Sequence, residues 1–287
     1  MDLRAIGMGL AFALMWSSAF TTAKFIVIDA PPLLSLSLRF VLSGAIAMGL
    51  AAALGQKIRL TAPQWRAVVL FGLCQNALYL GLVFIALRTV EASLAAIVAS
   101  SMPLMVAAMG WAMGERLPWL GIVGLVAGFA GVLLIMGGRV GAGLDPVGVL
   151  LCVGGVLALA VATLALRGTG TGENVLMVVG LQMLVGSAAL LPFALAFEVA
   201  EVRWTASLVW AFWYTTLVPG VVATWVWFKL VQRIGAVRAA TFHFLNPFFG
   251  VAIAWALLGE QIGVWDVVGV VVVMGGILAV QLSRRPV

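Results

Sequence analysis

Charge is scarce in this sequence. Of 287 residues, 9% are charged and 64% hydrophobic, with a mean hydropathy of +1.20. A soluble domain carries about a quarter charged residues, so a soluble protein and a disordered tail are excluded. Cysteine is nearly absent too: Cys74 and Cys152 form no CxxC pair and show no metal-ligand spacing. Both are expected to be small buried apolar residues, with no metal and no cofactor implied. His243 is the sole histidine. No GxxxxGK[ST], HExxH or GxSxG occurs, and no span holds paired carboxylates, so neither ATP-driven pumping nor enzymatic chemistry is expected.

Between the charges lie ten uncharged windows of 17 or more residues: 5–23, 40–56, 67–87, 92–114, 117–138, 146–166, 174–197, 204–228, 239–259 and 267–283. Each is about long enough to cross a hydrocarbon core of roughly 30 Å as a helix. The fold class is therefore an all-α polytopic membrane protein with ten transmembrane helices. The first window is read as a helix of the mature protein rather than a signal peptide, since it is long, carries Trp16, and is closely followed by another span.

The net charge of +6 fits basic loops on one face better than nucleic acid. With the N-terminus inside, eleven Lys and Arg residues fall on that side and five on the other, Lys24, Arg39, Arg88, Arg139 and Arg203. Both termini are expected in the cytoplasm of a cell whose inner membrane holds the chain. Trp65, Trp119, Trp204 and Trp265 stand at window ends, where an interfacial belt places them.

The sequence repeats itself. At an offset of 144, Ala92, Ala95, Ala96 and Pro103 fall on Ala236, Ala239, Ala240 and Pro247. At 145, Gly114-Glu115 falls on Gly259-Glu260, and Gly124 and Gly131 on Gly269 and Gly276. At 143, Leu38-Arg39 falls on Leu181-Gln182, and Lys24 on Arg167. The chain divides near 139–145 into two units, 1–138 and 139–287, of five spans each. Five crossings turn the second unit upside down, the inverted arrangement of secondary transporters, which places a substrate site near the midplane.

The W-[AL]-x-x-G-E turn, the proline earlier in the same helix, the Gly-spaced last helix and Arg39-Phe40 resemble the EamA family of the drug/metabolite transporter superfamily. Trp16-Ser17-Ser18, with Phe20 and Lys24, is similar to the opening helix of such units. The resemblance covers nearly the whole chain. It implies ten helices in two units and export or exchange of small metabolites, most closely in the manner of the YddG-type branch of aromatic amino-acid exporters.

Polar residues inside a span are costly in lipid and mark an interior or a cavity. On that basis the substrate-binding candidates are Trp16, Ser17, Asn76, Tyr79, Ser100, Thr163, Tyr214, His243 and Asn246, accompanied by Ser18, Gln75, Ser101, Gln182 and Thr224. Asn76 and Tyr79 share a helix face, as do His243 and Asn246. Pro103, Pro219 and Pro247 are candidates for kinks or gates, freeing carbonyls that could hold an ammonium group. Arg39 is expected to snorkel to the outer interface, the alternative being attraction of a substrate carboxylate at a cavity mouth. His243 is a hydrogen-bonded neutral core residue or, alternatively, a substrate contact or proton carrier. Aromatic residues concentrate at Trp210, Trp213, Tyr214, Trp225 and Trp227, with Trp16, Phe20, Tyr79 and Trp111 elsewhere; lipid-facing tryptophans should account for half of them.

All ten acids lie at or beyond the window edges. Ion-coupled carriers keep carboxylates inside, so uncoupled facilitated diffusion or exchange is expected. The cargo is then a zwitterion or a neutral amphipathic molecule, with aromatic and other neutral amino acids favoured. The expected partners are that small molecule and membrane lipid, with no nucleic acid and a plausible monomer. The alternatives are a multidrug or organic-cation exporter and, in a different class, a membrane channel.

Overall fold

A computed structural model describes residues 3–139, 144–165 and 174–283. Asp2, Arg167, Glu173, Arg284 and Arg285, and residues 140–143 of the expected junction, lie outside these. Among the described residues there is no strand, and ten helices are long and apolar enough to cross a membrane. They are α1 (Leu3–Asp29), α2 (Pro32–Ala53), α3 (Ala62–Ala86), α4 (Ala92–Ala112), α5 (Trp119–Arg139), α6 (Pro146–Ala165), α7 (Val175–Phe197), α8 (Ala206–Ile234), α9 (Arg238–Leu258) and α10 (Val264–Ser283). A chain in lipid must satisfy its backbone within each segment, which is why the apolar windows fold as helices and nothing else. The protein is a multi-pass membrane protein.

Local sequence sets the helix limits. Pro31 and Pro32 start α2, a capping box of Thr61 and Gln64 starts α3, and Gly259, at φ +67°, ends α9. Gly114 takes the same left-handed region at φ +90°. The doubled Gly-Glu motif thus begins each time with a glycine whose backbone other residues avoid.

Two helix pairs run past each other at backbone contact. In α5 and α10, a Cβ on Gly124 would lie 2.8 Å from the Gly276 carbonyl oxygen, and one on Gly131 2.9 Å from that of Gly269. In α2 and α7, a Cβ on Gly44 would lie 2.9 Å from the Gly180 oxygen, while the Ser37 and Ser187 hydroxyls bond at 2.8 Å. Small residues let helices in lipid approach this closely.

One end of the bundle gathers both chain ends. Ala5 of α1 is buried beside Leu230 of α8 and Ala239 of α9, and Gln281 of α10 donates to the Ala240 carbonyl at 2.7 Å.

Candidate functional site

Four helices are irregular, and the irregularities face inward. In α3 the stretch Gly72–Leu80 is a π-helix, and in α8 so is Val218–Val222. α4 breaks at Ser101, just before Pro103, and α9 is interrupted by a 3₁₀ turn over Thr241–Leu245, just before Pro247. Proline cannot donate to the preceding turn, which accounts for the breaks at 101 and 241–245 and for the widening around Pro219. No proline lies in Gly72–Leu80. There Gly72 sits against the Gln182 carbonyl oxygen, 2.9 Å from where a Cβ would be.

The π-helical stretches of α3 and α8 border a cavity of about 450 Å³. This is within the roughly 300–1,000 Å³ of small-molecule sites. Its walls come from α1, α2, α3, α6, α7, α8 and the start of α9, with Met102 of α4. Aromatic rings dominate toward the end of the bundle that holds the chain ends. There Phe12 stands 5.6 Å from Trp16, 4.7 Å from Trp227 and, edge-on, 5.3 Å from His243, and Trp227 is 5.1 Å from His243.

Of the residues singled out from the sequence, Trp16, Asn76, Tyr79, Thr163, Pro219 and His243 line the cavity, with Gln75, Gln182 and Thr224. Asn76 and Tyr79 are both buried, one turn apart on the inward face. The Thr163 hydroxyl donates to the Leu159 carbonyl of its own helix at 2.8 Å. The Asn246 amide bonds His243 Nδ1 at 3.0 Å. With the amide nitrogen donating, the ring proton resides on Nε2.

The remaining candidates are not on the cavity wall. Ser17 donates to the Asn246 carbonyl at 3.3 Å, joining α1 to α9. The Tyr214 and Ser18 hydroxyls bond at 3.0 Å, joining α1 to α8. Ser100 donates to the Ala96 carbonyl one turn back. Pro103 and Pro247 sit at the helix breaks, and Asn246 lies behind His243 with its Oδ1 buried and unpartnered. The Ser17 and Tyr214 side chains thus hold helices together, while Ser100 closes a turn of its own helix. Among the aromatic residues, Trp111, Trp210, Trp213 and Trp225 are exposed on the outer face of the bundle, while Trp16, Phe20, Tyr79 and Trp227 line the cavity. Cys152 is buried and Cys74 partly so.

Arg39 corrects an expectation. It does not snorkel to an interface: it is 5% exposed, lines the cavity, and holds its guanidinium 5.2 Å from the Phe40 ring centroid and 5.9 Å from that of Phe84. Seven residues of α2 separate it from the helix start, roughly 10 Å at about 1.5 Å per residue, too deep for its stem to reach that interface unhindered by the packed rings. No acid lines the cavity among the described residues.

Away from the termini the polar contacts change character. The Glu260 carboxylate accepts from the backbone N–H groups of Ala92 and Ser93 at 2.7 and 3.0 Å, capping α4. Glu198 does the same for Leu33 and Leu34 of α2, at 2.8 Å each. Asp29 pairs with Arg203 at 2.8 Å and accepts from the Thr205 hydroxyl. Arg139 pairs with Asp266 at 2.9 Å and with Glu91. Lys24 donates to the Leu87 and Val90 carbonyls at 2.6 and 3.0 Å. Helix N-termini favour carboxylates, so Glu198 and Glu260, kept out of the spans, cap helices at this end. The sequence located the Gly-Glu motif but not its target; the helix start one repeat away is visible only once the chain is folded.

A family model described as EamA-like transporter family matches residues 3–137 and 146–282. The chain belongs to the EamA-like transporter family. It is 26% identical over 279 residues to the uncharacterized transporter YvbV of Bacillus subtilis, covering 96% of this chain and 91% of that protein. It is likewise 26% identical over 277 residues to the uncharacterized inner membrane transporter YedA of Escherichia coli K12, covering 92% and 87%. A solved crystal structure superposes with a TM-score of 0.71 at 22% identity, covering 99% of each chain, a likeness of fold.

Proposed function

We propose that this EamA-family chain is a secondary transporter that exports small amphipathic metabolites, aromatic and other neutral amino acids in the manner of YddG-type exporters, by alternating access and without ion coupling. It works in a bacterial inner membrane with both termini cytoplasmic, its units 1–138 and 139–287 inverted about an axis in the membrane plane. The observation that carries the reading is the 450 Å³ cavity. It reaches mid-span, is walled by rings with a few amides and hydroxyls, and lies between helices that are irregular at matching places in the two units. Relatives named as transporters support the class, and an inner membrane location is printed for the relative YedA.

The inversion draws support from the close pairs. An exchange of residues at the offset of 145 turns the Gly124–Gly276 contact into Gly269–Gly131, and one at 143 turns Ser37–Ser187 into Gly180–Gly44. All four contacts occur. In both pairs the contacting residue number rises along one helix as it falls along its repeat partner, so equivalent helices run in opposite directions, as inverted units require and parallel repeats do not.

A cation meets Arg39 and no acid in this cavity, which favours a zwitterion over an organic cation. A channel would need a continuous path, and the capped end opposes one.

The test is uptake of labelled phenylalanine or tryptophan into proteoliposomes, with and without an imposed proton gradient. Saturable uptake, unchanged by the gradient and competed by related amino acids, is expected. Strong dependence on the gradient would overturn the uncoupled mechanism, and absence of amino-acid flux would overturn the cargo.

A further inference from the structure

Among the described residues two arginines are buried in the bundle, and only Arg139 has hydrogen-bonding partners. Arg139, 8% exposed, meets Asp266, Glu91 and the Ser93 hydroxyl. Arg39, 5% exposed, has its Nε buried with no hydrogen-bond partner, and only the Phe40 and Phe84 rings face its guanidinium. The nearest other fixed cation on α1, Lys24, is engaged with the Leu87 and Val90 carbonyls. A guanidinium stays charged whatever its surroundings, and a buried charge without a counterion is costly. Proteins retain such a group where something that visits the site offsets it.

We propose that Arg39 is the docking point for a carboxylate on the transported molecule, resting on the transport reading above. The planar fork of the guanidinium matches a carboxylate bidentately, a geometry neither water nor an amide reproduces. Gln182, which occupies the equivalent place in the second unit, also lines the cavity but is neutral. The cavity is therefore polarised, cationic on the α2 side and aromatic around Trp16, Trp227 and His243. A ligand with a carboxylate at one end and an apolar body is held in one orientation, and an amine lacking the carboxylate is rejected.

Binding to the purified full-length protein tests this without depending on flux. The ligands are matched pairs: 3-phenylpropionate and 3-phenylpropionamide, hexanoate and hexanamide, phenylalanine and phenylalaninamide. In the wild type at least one carboxylate should bind about tenfold or more tightly than its amide, the difference between a charge-assisted and a neutral hydrogen-bonded pair. Arg39→Gln should bring that ratio within about twofold, and Arg39→Lys should retain part of it. The unliganded unfolding midpoint of Arg39→Gln should not fall, because the variant removes an unpartnered charge; a merely structural arginine would lower it. Equal binding of acid and amide by the wild type, a ratio that survives in Arg39→Gln, or no binding by any pair would overturn the proposal. Amino-acid uptake that persists alongside such a result would leave the transport reading standing and remove only the carboxylate contact.

Discussion

Two kinds of tie join the units among the described residues, carboxylates at one end of the bundle and amides at the other. At the end away from the chain termini, carboxylates tie the two units: Glu198 on Leu33 and Leu34, Glu260 on Ala92 and Ser93, and Asp29 with Arg203. At the terminus end two of the described ties are neutral amides, and Glu115 and Arg233 are engaged there too. Gln56 accepts from the Met177 N–H at 3.2 Å and Asn174 from that of Lys57 at 3.1 Å. Charged caps are worth about 1.5–3 kcal/mol and neutral ones nearer 1 kcal/mol. Alternating access, as proposed above, requires a firmer tie on one side than on the other in each state.

If the two ends trade roles, α5 and α10 must stay joined throughout. Gly276→Ala breaks that spine: its Cβ would lie 2.6 Å from the Gly124 carbonyl oxygen and from the Gly128 backbone, neither of which can yield as a side chain would. Overpacking of this kind costs about 1–3 kcal/mol or more, and a large fall in unfolding midpoint and yield is expected. Gly275→Ala, beside it, has nothing within 4 Å and should be neutral or slightly stabilising. Equal behaviour of the two would remove the close α5–α10 contact from the account.

The sealed end can be broken directly. Glu198→Ala and Glu260→Ala each leave two helix N–H groups uncapped, at about 1–3 kcal/mol apiece. They should shift the conformational balance toward opening at that end by roughly tenfold or more, read as faster labelling of a cysteine placed at Leu34. Glu198→Gln should retain part of the tie. A smaller effect is expected from Gln56→Ala, about 1 kcal/mol or less at the terminus end. If Gln56→Ala matched Glu260→Ala, the contrast between the ends would fail.

The smallest effect sits in the Asp145 loop. The Thr89 hydroxyl first, and then the Val147 and Gly148 N–H groups, hold the Asp145 carboxyl below the usual carboxylate range against a small cost of desolvation. A depressed carboxyl stabilises the fold fully above its unfolded value and loses that contribution only as pH falls through the folded one. Between pH 6 and 8 this tie should be constant, and Thr89→Val should move the acid limb of a pH–stability profile upward slightly.

The bundle was legible because lipid leaves apolar windows no other fold. Charge spacing alone placed the ten spans, and proline spacing placed the breaks at Ser101 and Thr241–Leu245. The site was legible in part. Asn76, Tyr79 and His243 stood out as polar residues in apolar surroundings, yet Ser17, Ser100 and Tyr214 stood out for the same reason and are used to join helices or close their own turns. Polarity says that a side chain avoids lipid, not whether it meets a cavity or a neighbour. The π-helical stretch of α3 carries no proline or other local signal. Arg39 lies near a window edge, where one dimension suggests an interface; only the packing of Phe40 and Phe84 turns it inward.

The central claim of the proposed transport reading is that the cavity meets one face of the membrane at a time. With Cys74 and Cys152 replaced, a single cysteine at Thr163 would be exposed to a membrane-impermeant maleimide from each face of oriented vesicles. The account predicts rapid labelling from the face bearing the termini, little from the other, and a rise at that other face when Glu198→Ala and Glu260→Ala are combined. Equal labelling from both faces of the unmodified bundle would describe a pore, and would contradict it.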